Sequence, residues 1–323
     1  MVGRLVVLYI GAVLTAGASP AQTPSGFPAR LVKFIIPFPG GGINDVTARI
    51  VAEKLQVKWG QTILIENKTG AGGNIAAEYV AQAEPDGHTI FITPPGPLAI
   101  NQSLYRQLSY KPEDFVPITL LASVTNVIMV RPELGVGSIA DLSALARKNP
   151  GKLTYGSQGN GSTPHLTGIM FMTMTGTSLI HVPYRGENLV INDMLGGHVD
   201  AFFGGISPAL PYYREGTLKI LAVTDVKRAA PMPDVPTVAE AGLAGLVSTS
   251  WFGVVGPPKM AQALANRISA DFIDVLKMPD VRAKFRTPGT EPVGTNPAET
   301  AAFIRQETAR WREVITKNNI RIE

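Results

Sequence analysis

Short apolar runs alternate with amphipathic segments along most of the chain. The runs LVKFIIPF at 31–38 and HTIFIT at 88–93 are rich in β-branched and aromatic residues, which is typical of strands. The segment VTARIVAEKLQVKWG at 46–60 repeats its apolar residues at helical spacing and ends on Gly60, a helix stop signal. Because strands alternate with helices, the pattern predicts an α/β protein.

The same pattern starts again in the second half of the chain. NVIMVRP at 126–132 is a predicted strand, and Ser138 with Asp141 three residues later predicts a capping box that begins the next helix. The proline-rich segment at 230–242 is predicted to end in a short helix, and TSWFGVVGPP at 249–258 is a further strand before a helical tail. Each half repeats strand, glycine loop and helix, which suggests two similar α/β lobes.

Four loops rich in glycine or small residues each lie between a predicted strand and a predicted helix. They lie at 39–45, 67–74, 93–97 and 156–165. After the first loop, the pattern places Asn44 or Asp45 at the N-cap of the helix. After the fourth, it places Ser162 or Thr163 at the N-cap, with Pro164 as the first helical residue. In open α/β sheets, ligands bind beyond the carboxyl ends of the strands, where such loops lie.

The starts of these helices suit a negatively charged ligand. A helix N-terminus presents unpaired backbone N–H groups and about half a positive charge, so it favours anions. Glycine has no Cβ, so a ligand can approach the main chain closely. Any one loop, taken alone, is better explained as a tight turn. Four loops of one kind favour a site that holds a carboxylate with backbone N–H groups.

Composition and charge exclude several classes of function. The chain has 323 residues, enough for two domains, with 45% hydrophobic and 17% charged residues. Its net charge is +4 and it contains no run of Lys and Arg, so no nucleic-acid partner is expected. It has no cysteine, which excludes disulfides, thiolate metal sites and cysteine nucleophiles.

The first 21 residues read as a secretory signal peptide. Arg4 is followed by the apolar run LVVLYIGAVLTAGA at 5–18, and Ser19 and Ala21 are small residues at the positions that signal peptidase reads. A membrane anchor is the alternative, but the run is shorter than the roughly 20 residues that span a bilayer. Residues 1–21 are therefore expected to be removed, with the mature protein in the periplasm of a Gram-negative bacterium.

Motifs of common enzyme and cofactor sites are incomplete in this sequence. GAGGNI at 70–75 lacks the last glycine of the dinucleotide-binding motif, and no Walker A phosphate loop occurs. YGSQG at 155–159 has Tyr155 where a nucleophile elbow needs glycine. The four histidines show no metal-ligand spacing, and only His165, beside the fourth loop, is a candidate to line a site. No cofactor and no metal are expected.

The glycine loops and several other stretches together resemble the substrate-binding proteins of tripartite tricarboxylate transporters, the Bug family. The matching stretches run nearly end to end: PFPGGGINDVTAR, GQTILIENKTGAGGNIAAEYVAQAEPDGHT, GKLTYGSQGNGSTPHLTG, HVPYRG, PDVPTVAEAG and WFGVVGPP. The chain departs from the family pattern at Ile43 and Asn44, where Gly and Thr are common, and at Arg185, where Lys is frequent. The combination is specific, although no single stretch would be.

The resemblance implies a type II periplasmic binding protein, in which two α/β lobes joined by two crossing strands close over a ligand. It places the crossings near 120–126 and 246–252. Domain one, the carboxylate-gripping lobe, would comprise 27–122 plus 251–323, and domain two, the selectivity lobe, would comprise 123–250. The restart of the pattern at Asn126 supports the first crossing independently.

The resemblance also implies a set of ligand-binding residues, carried over position by position. In domain one they are Phe38, Gly41, Asn44, Gly70, Ala71 and Gly72. In domain two they are Ser157, Asn160, Ser162, Thr163, His165, Tyr184, Gly186 and Asp200. Two of these have a second interpretation, because Tyr184 could pack in the core and Asp200 could cap the next helix.

The expected function is capture of a small carboxylate by lobe closure and its delivery to the membrane subunits of a transporter. The protein is expected to be a monomer without catalytic residues. Two alternatives stay open: a secreted enzyme of similar fold, with Asp200 and His165 as candidate general bases, and a ligand sensor for a receptor kinase. The ligand is open among di- and tricarboxylates, acidic amino acids, aromatic carboxylates and nicotinate-like compounds.

Overall fold

The structure is a computed structural model that describes residues 26–286 and 290–321. The predicted signal peptide at 1–21 lies outside the described residues. Within them, strands and helices alternate as predicted and form two separate β-sheets flanked by helices. None of the described helices has the length and hydropathy of a membrane-spanning segment.

The described residues form eleven strands and ten α-helices. The strands are β1 (Val32–Ile36), β2 (Ile63–Asn67), β3 (Thr89–Thr93), β4 (Val116–Thr125), β5 (Val127–Val130), β6 (Thr154–Ser157), β7 (Ile180–Pro183), β8 (Ala201–Phe202), β9 (Lys219–Val223), β10 (Thr249–Gly256) and β11 (Thr290–Pro292). The helices are α1 (Ile43–Trp59), α2 (Asn74–Ala81), α3 (Asn101–Leu104), α4 (Ile139–Lys148), α5 (Thr163–Thr175), α6 (Glu187–Leu195), α7 (Ile206–Glu215), α8 (Gln262–Lys277), α9 (Pro279–Arg286) and α10 (Pro297–Lys317).

Lobe one is built on a six-stranded sheet with the order β11-β4-β10-β3-β1-β2. Strands β1, β2 and β3 are parallel, whereas β10 runs antiparallel to both β3 and β4. Phe34, Ile35 and Ile36 of β1 have no exposed surface because helices cover both faces of the sheet. Helices α1 and α8 pack on one face, and α2 and α10 pack on the other. This double burial explains the uninterrupted apolar run in the sequence.

Lobe two is built on a five-stranded sheet with the order β7-β6-β8-β5-β9. Helices α6 and α7 cover one face of it, and α4 and α5 cover the other. Helix α5 also contacts lobe one, because Leu166 is buried in a cluster of lobe-one side chains while Phe171 is buried in lobe two. The two lobes therefore share this helix as a packing element.

Two hydrogen-bonded segments join the lobes. The chain leaves lobe one at Asn126, between β4 and β5, and returns at Ser248, just before β10. The Asn126 carbonyl accepts the N–H of Thr224 at 2.9 Å and its hydroxyl at 3.1 Å. The Asn126 side chain donates to the Ser248 carbonyl at 3.1 Å. These crossings overlap the predicted ranges, and the predicted domain limits at 122/123 and 250/251 stay a prediction.

The predicted cap of α1 is wrong. The helix begins at Ile43 with Gly42 as the N-cap, so neither Asn44 nor Asp45 occupies that position. Gly42 has extended backbone, with φ −72° and ψ 163°, which an N-cap requires. The Asn44 and Asp45 side chains are instead buried in the first turn, where both make other hydrogen bonds.

Two further local predictions differ from the structure. Helix α5 has Ser162 as its N-cap and begins at Thr163, so Pro164 is its second residue. Residues 230–242 form turns and no helix. Their helical spacing yields only one turn, with the N–H of Ala241 bonded to the Thr237 carbonyl, before the next glycine turns the chain away.

Candidate functional site

A cleft of about 470 Å³ lies between the two lobes. Lobe one lines it with residues 38–46, which include the first glycine loop and the start of α1, and with Pro94 and Phe252. Lobe two lines it with Gln158 and with residues 185–189 at the start of α6. A glycine loop of one lobe and a helix start of the other therefore meet at one cavity.

The N-terminus of α1 opens into this cleft without a side-chain cap. Its first intrahelical bond runs from the N–H of Val46 to the Gly42 carbonyl. The backbone N–H groups of Ile43, Asn44 and Asp45 consequently have no acceptor among the described residues. The helix also places about half a positive charge at this end. Three N–H groups are thus available for a carboxylate.

Asp45 holds the loop that precedes α1. Its Oδ2 accepts the N–H of Gly41 at 3.0 Å and pairs with Arg49 at 2.8 Å. Its Oδ1 accepts from the Asn67 side chain at 3.1 Å. Burial alone would raise the pKa of Asp45, but the hydrogen bonds from Arg49, Gly41 and Asn67 outweigh burial and lower it. The carboxylate is therefore ionised, and its charge is balanced within lobe one.

Asn44 presents a buried acceptor at the wall of the cleft. The residue is 4% exposed, and its Nδ2 donates to the Ile92 carbonyl at 3.1 Å. Its Oδ1 has no partner among the described residues. That oxygen is itself shielded from solvent, so leaving it unpaired costs about 1–3 kcal/mol. Phe38, Ile43 and Phe252 give the same wall an apolar surface.

A smaller cavity of about 20 Å³ adjoins the cleft, and Phe38 and Gln158 line both. Here the second and fourth glycine loops meet across the two lobes. A Cβ on Gly72, whose φ is +62°, would lie 2.9 Å from the Tyr105 hydroxyl and 3.5 Å from the Asn160 carbonyl. Glycine at 72 therefore permits a close approach between the lobes.

Helix α5 begins at this smaller cavity in the same way as α1 begins at the cleft. Its N-cap, Ser162, makes no side-chain bond to the helix. The preceding Gly161 donates its N–H to Nδ1 of His165 at 3.1 Å. The N–H groups of Thr163 and His165 have no acceptor within the described chain.

A pair of histidines supports the fourth loop. The rings of His165 and His181 pack against each other with centroids 4.2 Å apart and planes tilted by 32°. Burial lowers the pKa of His165 to about 3, with a contribution from His181, and burial lowers the pKa of His181 to about 4. Ser157 Oγ lies 2.6 Å from His181 Nε2, and Ser157 has no exposed surface. Both rings are therefore neutral at neutral pH.

Lobe two contributes two charged side chains to the cleft, Arg185 and Glu187. Glu187 is the first residue of α6, and its Oε1 accepts the N–H of Gly205 at 3.3 Å. The Gln158 side chain also hydrogen bonds to its carboxyl group. Burial raises the pKa of Glu187 to about 7. Near neutral pH this carboxyl group is thus divided between its neutral and ionised forms.

The predicted site residues divide into those that line the two cavities and those that do not. The cavity-lining residues are Phe38, Gly41, Asn44 and Gly186 in the cleft, and Gly72, Asn160, Ser162 and Thr163 in the smaller cavity. Gly41 lines the cleft, but its N–H is already bonded to Asp45. The available donors lie one to three residues beyond the Gly42 N-cap.

The other predicted residues lie outside both cavities: Gly70, Ala71, Ser157, His165, Tyr184 and Asp200. Asp200 pairs with Arg131 at 2.8 Å and accepts the N–H of Thr154, so it joins strands and does not cap a helix. The Tyr184 hydroxyl donates to Asp193 at 2.5 Å. These contacts are structural, and a role in ligand binding stays a prediction for these positions.

Sequence reasoning did not identify Gln158, Glu187, Asn188 or Ser250, which also line the cavities. Glu187 follows the predicted Gly186, but an acidic residue in the first turn of a helix has an ordinary explanation in the helix dipole. The residue type at 187 therefore did not indicate a role in ligand binding. No group of three or more potential ligand side chains in the described part of the chain could hold a metal ion.

Comparison with known proteins identifies related sequences and structures. Residues 47–320 match the model of the tripartite tricarboxylate transporter family receptor, TctC. The chain belongs to this family. Protein BugT of Bordetella pertussis, a relative of this TctC-family chain, is 33% identical over 326 residues, which cover 99% of each chain. The predicted resemblance to the Bug proteins is confirmed.

Solved structures share the fold. R. palustris Rpa4515 with adipate is 36% identical, with a TM-score of 0.87 over 92% of this chain and 100% of that chain. MatC from Rhodopseudomonas palustris with bound malate is 29% identical, with a TM-score of 0.83 over 90% of this chain and 100% of that chain. The predicted α/β fold of two lobes, that of a type II periplasmic binding protein, is confirmed.

Proposed function

We propose that this TctC-family protein captures a small carboxylate between its lobes in the periplasm and delivers it to the membrane subunits of a tripartite transporter. The observation that supports this most directly is the uncapped start of α1 in the interlobe cleft, with three free N–H groups. Hydrogen bonds from N–H groups to a carboxylate are charge-assisted, so no arginine is needed. Two relatives were solved with dicarboxylates, adipate and malate.

The proposal assigns different tasks to the two lobes. Lobe one, taken as 27–122 plus 251–323, grips the carboxylate, and lobe two, taken as 123–250, contacts the rest of the ligand. A ligand that touches both lobes favours the closed arrangement by its differential affinity for the two states. The hydrogen-bonded crossings at Asn126 and Ser248 are where the backbone would turn. The closed monomer is then the form that the membrane partner recognises.

The proposal also holds that the protein is not an enzyme. Ser157 and His181 form a close hydroxyl–imidazole pair, which is the contact that a nucleophile and its base would make. However, Ser157 has no exposed surface and lies outside both cavities. A ligand recovered chemically unchanged after long incubation with the protein would support binding alone, and turnover would contradict it.

A thermal-shift and calorimetric screen of mono-, di- and tricarboxylates tests the function. A ligand at 100 times its Kd should stabilise the fold by about 2.7 kcal/mol. The Kd of the best ligand is then measured for the wild type and for the variant Ile43→Pro. Proline is well tolerated at the first helical position, and the extended Gly42 suits a following proline, so this change removes one N–H donor and leaves α1 intact.

The matched control is Ile43→Ala, which removes the side chain but keeps the N–H. We expect Ile43→Pro to weaken carboxylate binding about 10- to 100-fold relative to Ile43→Ala, as the loss of one hydrogen bond to a charged group implies. Equal affinities in the two variants would contradict capture by the start of α1. Binding of esters and amides in preference to acids would contradict carboxylate recognition altogether.

A further inference from the structure

The lobe-two wall of the cleft contains an acceptor that a carboxylate ligand cannot use. Glu187 lies at the first position of α6 and lines the same cleft as the start of α1. Two donors, the Gly205 N–H and the Gln158 side chain, hold its carboxyl group in place. An ionised carboxylate accepts about four hydrogen bonds, so acceptor capacity remains for a ligand.

The charged groups around Glu187 do not neutralise it. Arg185, two residues before Glu187, also lines the cleft. Among the described residues it forms no salt bridge with Glu187. Across the cleft, Asp45 of α1 is bound to Arg49. Helix α7, which packs against α6, presents the uncharged Ser207 and Pro208. Glu187 therefore meets a ligand either as an anion or, after protonation, as a neutral acid.

We propose that Glu187 selects ligands that carry a hydrogen-bond donor, above all a cationic amine, at the end remote from the carboxylate. The ligand class is thus an amino acid with separated groups: its carboxylate lies at the start of α1 and its donor end lies at Glu187. This inference rests on the proposed function. The apolar surface of Phe38, Ile43 and Phe252 then covers the carbon chain between the two ends.

The partial burial of Glu187 makes this selection depend on pH. Since its pKa is raised to about 7, the ionised fraction rises from about one tenth at pH 6 to nearly all at pH 8.5. A ligand that needs the ionised form gains affinity over that range by the same ratio, about tenfold. A dicarboxylate needs the protonated form and loses affinity over the range. Free diacids complete most of their own ionisation below pH 6, so the Glu187→Gln variant is needed to separate their titration from that of Glu187.

The test uses matched pairs of one chain length: 4-aminobutanoate with succinate, 5-aminopentanoate with glutarate, and 6-aminohexanoate with adipate. Calorimetric Kd values are measured at pH 6.0, 7.0 and 8.5 for the wild type, Glu187→Gln and the exposed control Glu215→Gln. In the wild type and the control, we expect at least one of the three amino acids to bind about tenfold more tightly at pH 8.5 than at pH 6.0. We expect its diacid partner to show the opposite trend, and Glu187→Gln to abolish both trends.

Other outcomes overturn the proposal in distinguishable ways. If diacids bind at every pH and Glu187→Gln changes neither affinity nor trend, the role of Glu187 is overturned while carboxylate capture stands. If that diacid preference is lost in Arg185→Gln, lobe two selects a second carboxylate through Arg185. If neither these probes nor any carboxylate of the wider screen binds the wild type, the proposed function fails together with this inference.

Discussion

The starts of α1 and α5 are built on the same backbone design but are held by different chemistry. In each, a glycine with φ near +80° precedes an N-cap with extended backbone: Gly41 at +81° and Gly161 at +79°. In each, the N–H of that glycine donates to the side chain at the third helical position. That side chain is an ionised Asp45 in lobe one and a neutral His165 in lobe two.

The difference shows that one backbone geometry can be stabilised by charge or by a neutral acceptor. Asp45 sits in a network with Arg49 and Asn67, so the lobe-one loop depends on an ionised carboxylate. His165 packs against His181, so the lobe-two loop depends on two imidazoles that stay unprotonated. The two loops should therefore lose stability in different pH ranges, and the lobe-two loop should lose it first as the pH falls.

The largest expected effect is acid destabilisation through His165. Its folded pKa of about 3 lies below the unfolded value near 6.5, so the unfolded state binds the proton first. The contribution of neutral His165 to the free energy of unfolding is fully present above pH 6.5 and is lost as the pH falls towards 3. The loss between pH 7 and pH 4 is about 3 kcal/mol. His165→Gln keeps an acceptor for Gly161 and removes the titration. Urea unfolding of the variant from pH 7 to pH 4 should show a correspondingly smaller loss.

The exposed His198 provides the control for this comparison. His198→Gln should leave the acid sensitivity of the wild type unchanged. If the wild type and His165→Gln lose the same free energy of unfolding between pH 7 and pH 4, the lobe-two loop does not depend on a neutral imidazole at His165.

A smaller effect, in a lower pH range, is expected for Asp45→Asn. The folded pKa of Asp45 is lowered, so its contribution to stability is present above about pH 4 and is lost as the pH falls further. At pH 7 the variant should lose about 2 kcal/mol, because hydrogen bonds to a buried charge are replaced by neutral ones. Chemical unfolding at pH 7 and pH 3 should show the gap between wild type and variant narrowing in acid.

Asp141 is a matched comparison for Asp45. It occupies the same third helical position in α4 and accepts the N–H of Gly137 four residues earlier, but it is exposed. Asp141→Asn should therefore cost less than Asp45→Asn at pH 7, because water replaces the lost contacts. An equal cost would show that burial and the Arg49 network add nothing at Asp45.

The smallest expected effect is the difference in stability between two glycine variants, which measures the contact between the second and fourth loops. Gly72 and Gly60 have nearly the same φ, +62° and +63°, but a Cβ on Gly60 would meet nothing within 4 Å. Each Gly→Ala change should cost about 1–2 kcal/mol for the left-handed backbone. Gly72→Ala should cost about 1 kcal/mol more, because the Tyr105 hydroxyl must shift. Gly72→Ala should also weaken ligand binding a few-fold, whereas Gly60→Ala should not. Equal Kd values for the two variants would show that the loop contact is not part of lobe closure.

Local signals in the sequence predicted much of the fold. The stop of α1 at Gly60 and the Ser138 N-cap of α4 are confirmed, because both depend on residues close in the chain. The capping box is only half formed, since Ser138 accepts the Asp141 N–H but the Asp141 carboxylate accepts from the Gly137 N–H. The N-cap of α1 was predicted wrongly, since Asn44 and Asp45 are favourable cap residues whose side chains are drawn into contacts with Ile92 and Arg49. Those partners are distant or conformation-dependent, and spacing alone does not reveal them.

The candidate site was predictable in its backbone and less so in its side chains. Glycines mark places where the main chain is exposed, and Gly41, Gly72 and Gly186 do line the cavities. Glu187 was missed because its environment is set by the Gly205 N–H and the Gln158 side chain, which approach it only after the lobe-two sheet has formed. Burial of that kind leaves no periodic trace in a sequence.

The position of β10 in lobe one has a consequence for how the protein is made. This strand lies between β3 and β4, yet it is encoded after the whole of lobe two. Until residues 249–256 leave the ribosome, β3 and β4 lack the neighbour that joins them. The complete lobe-one sheet therefore cannot form during most of translation. A chain of this design stays incompletely folded until late in synthesis, which is compatible with the export that the proposed function assumes.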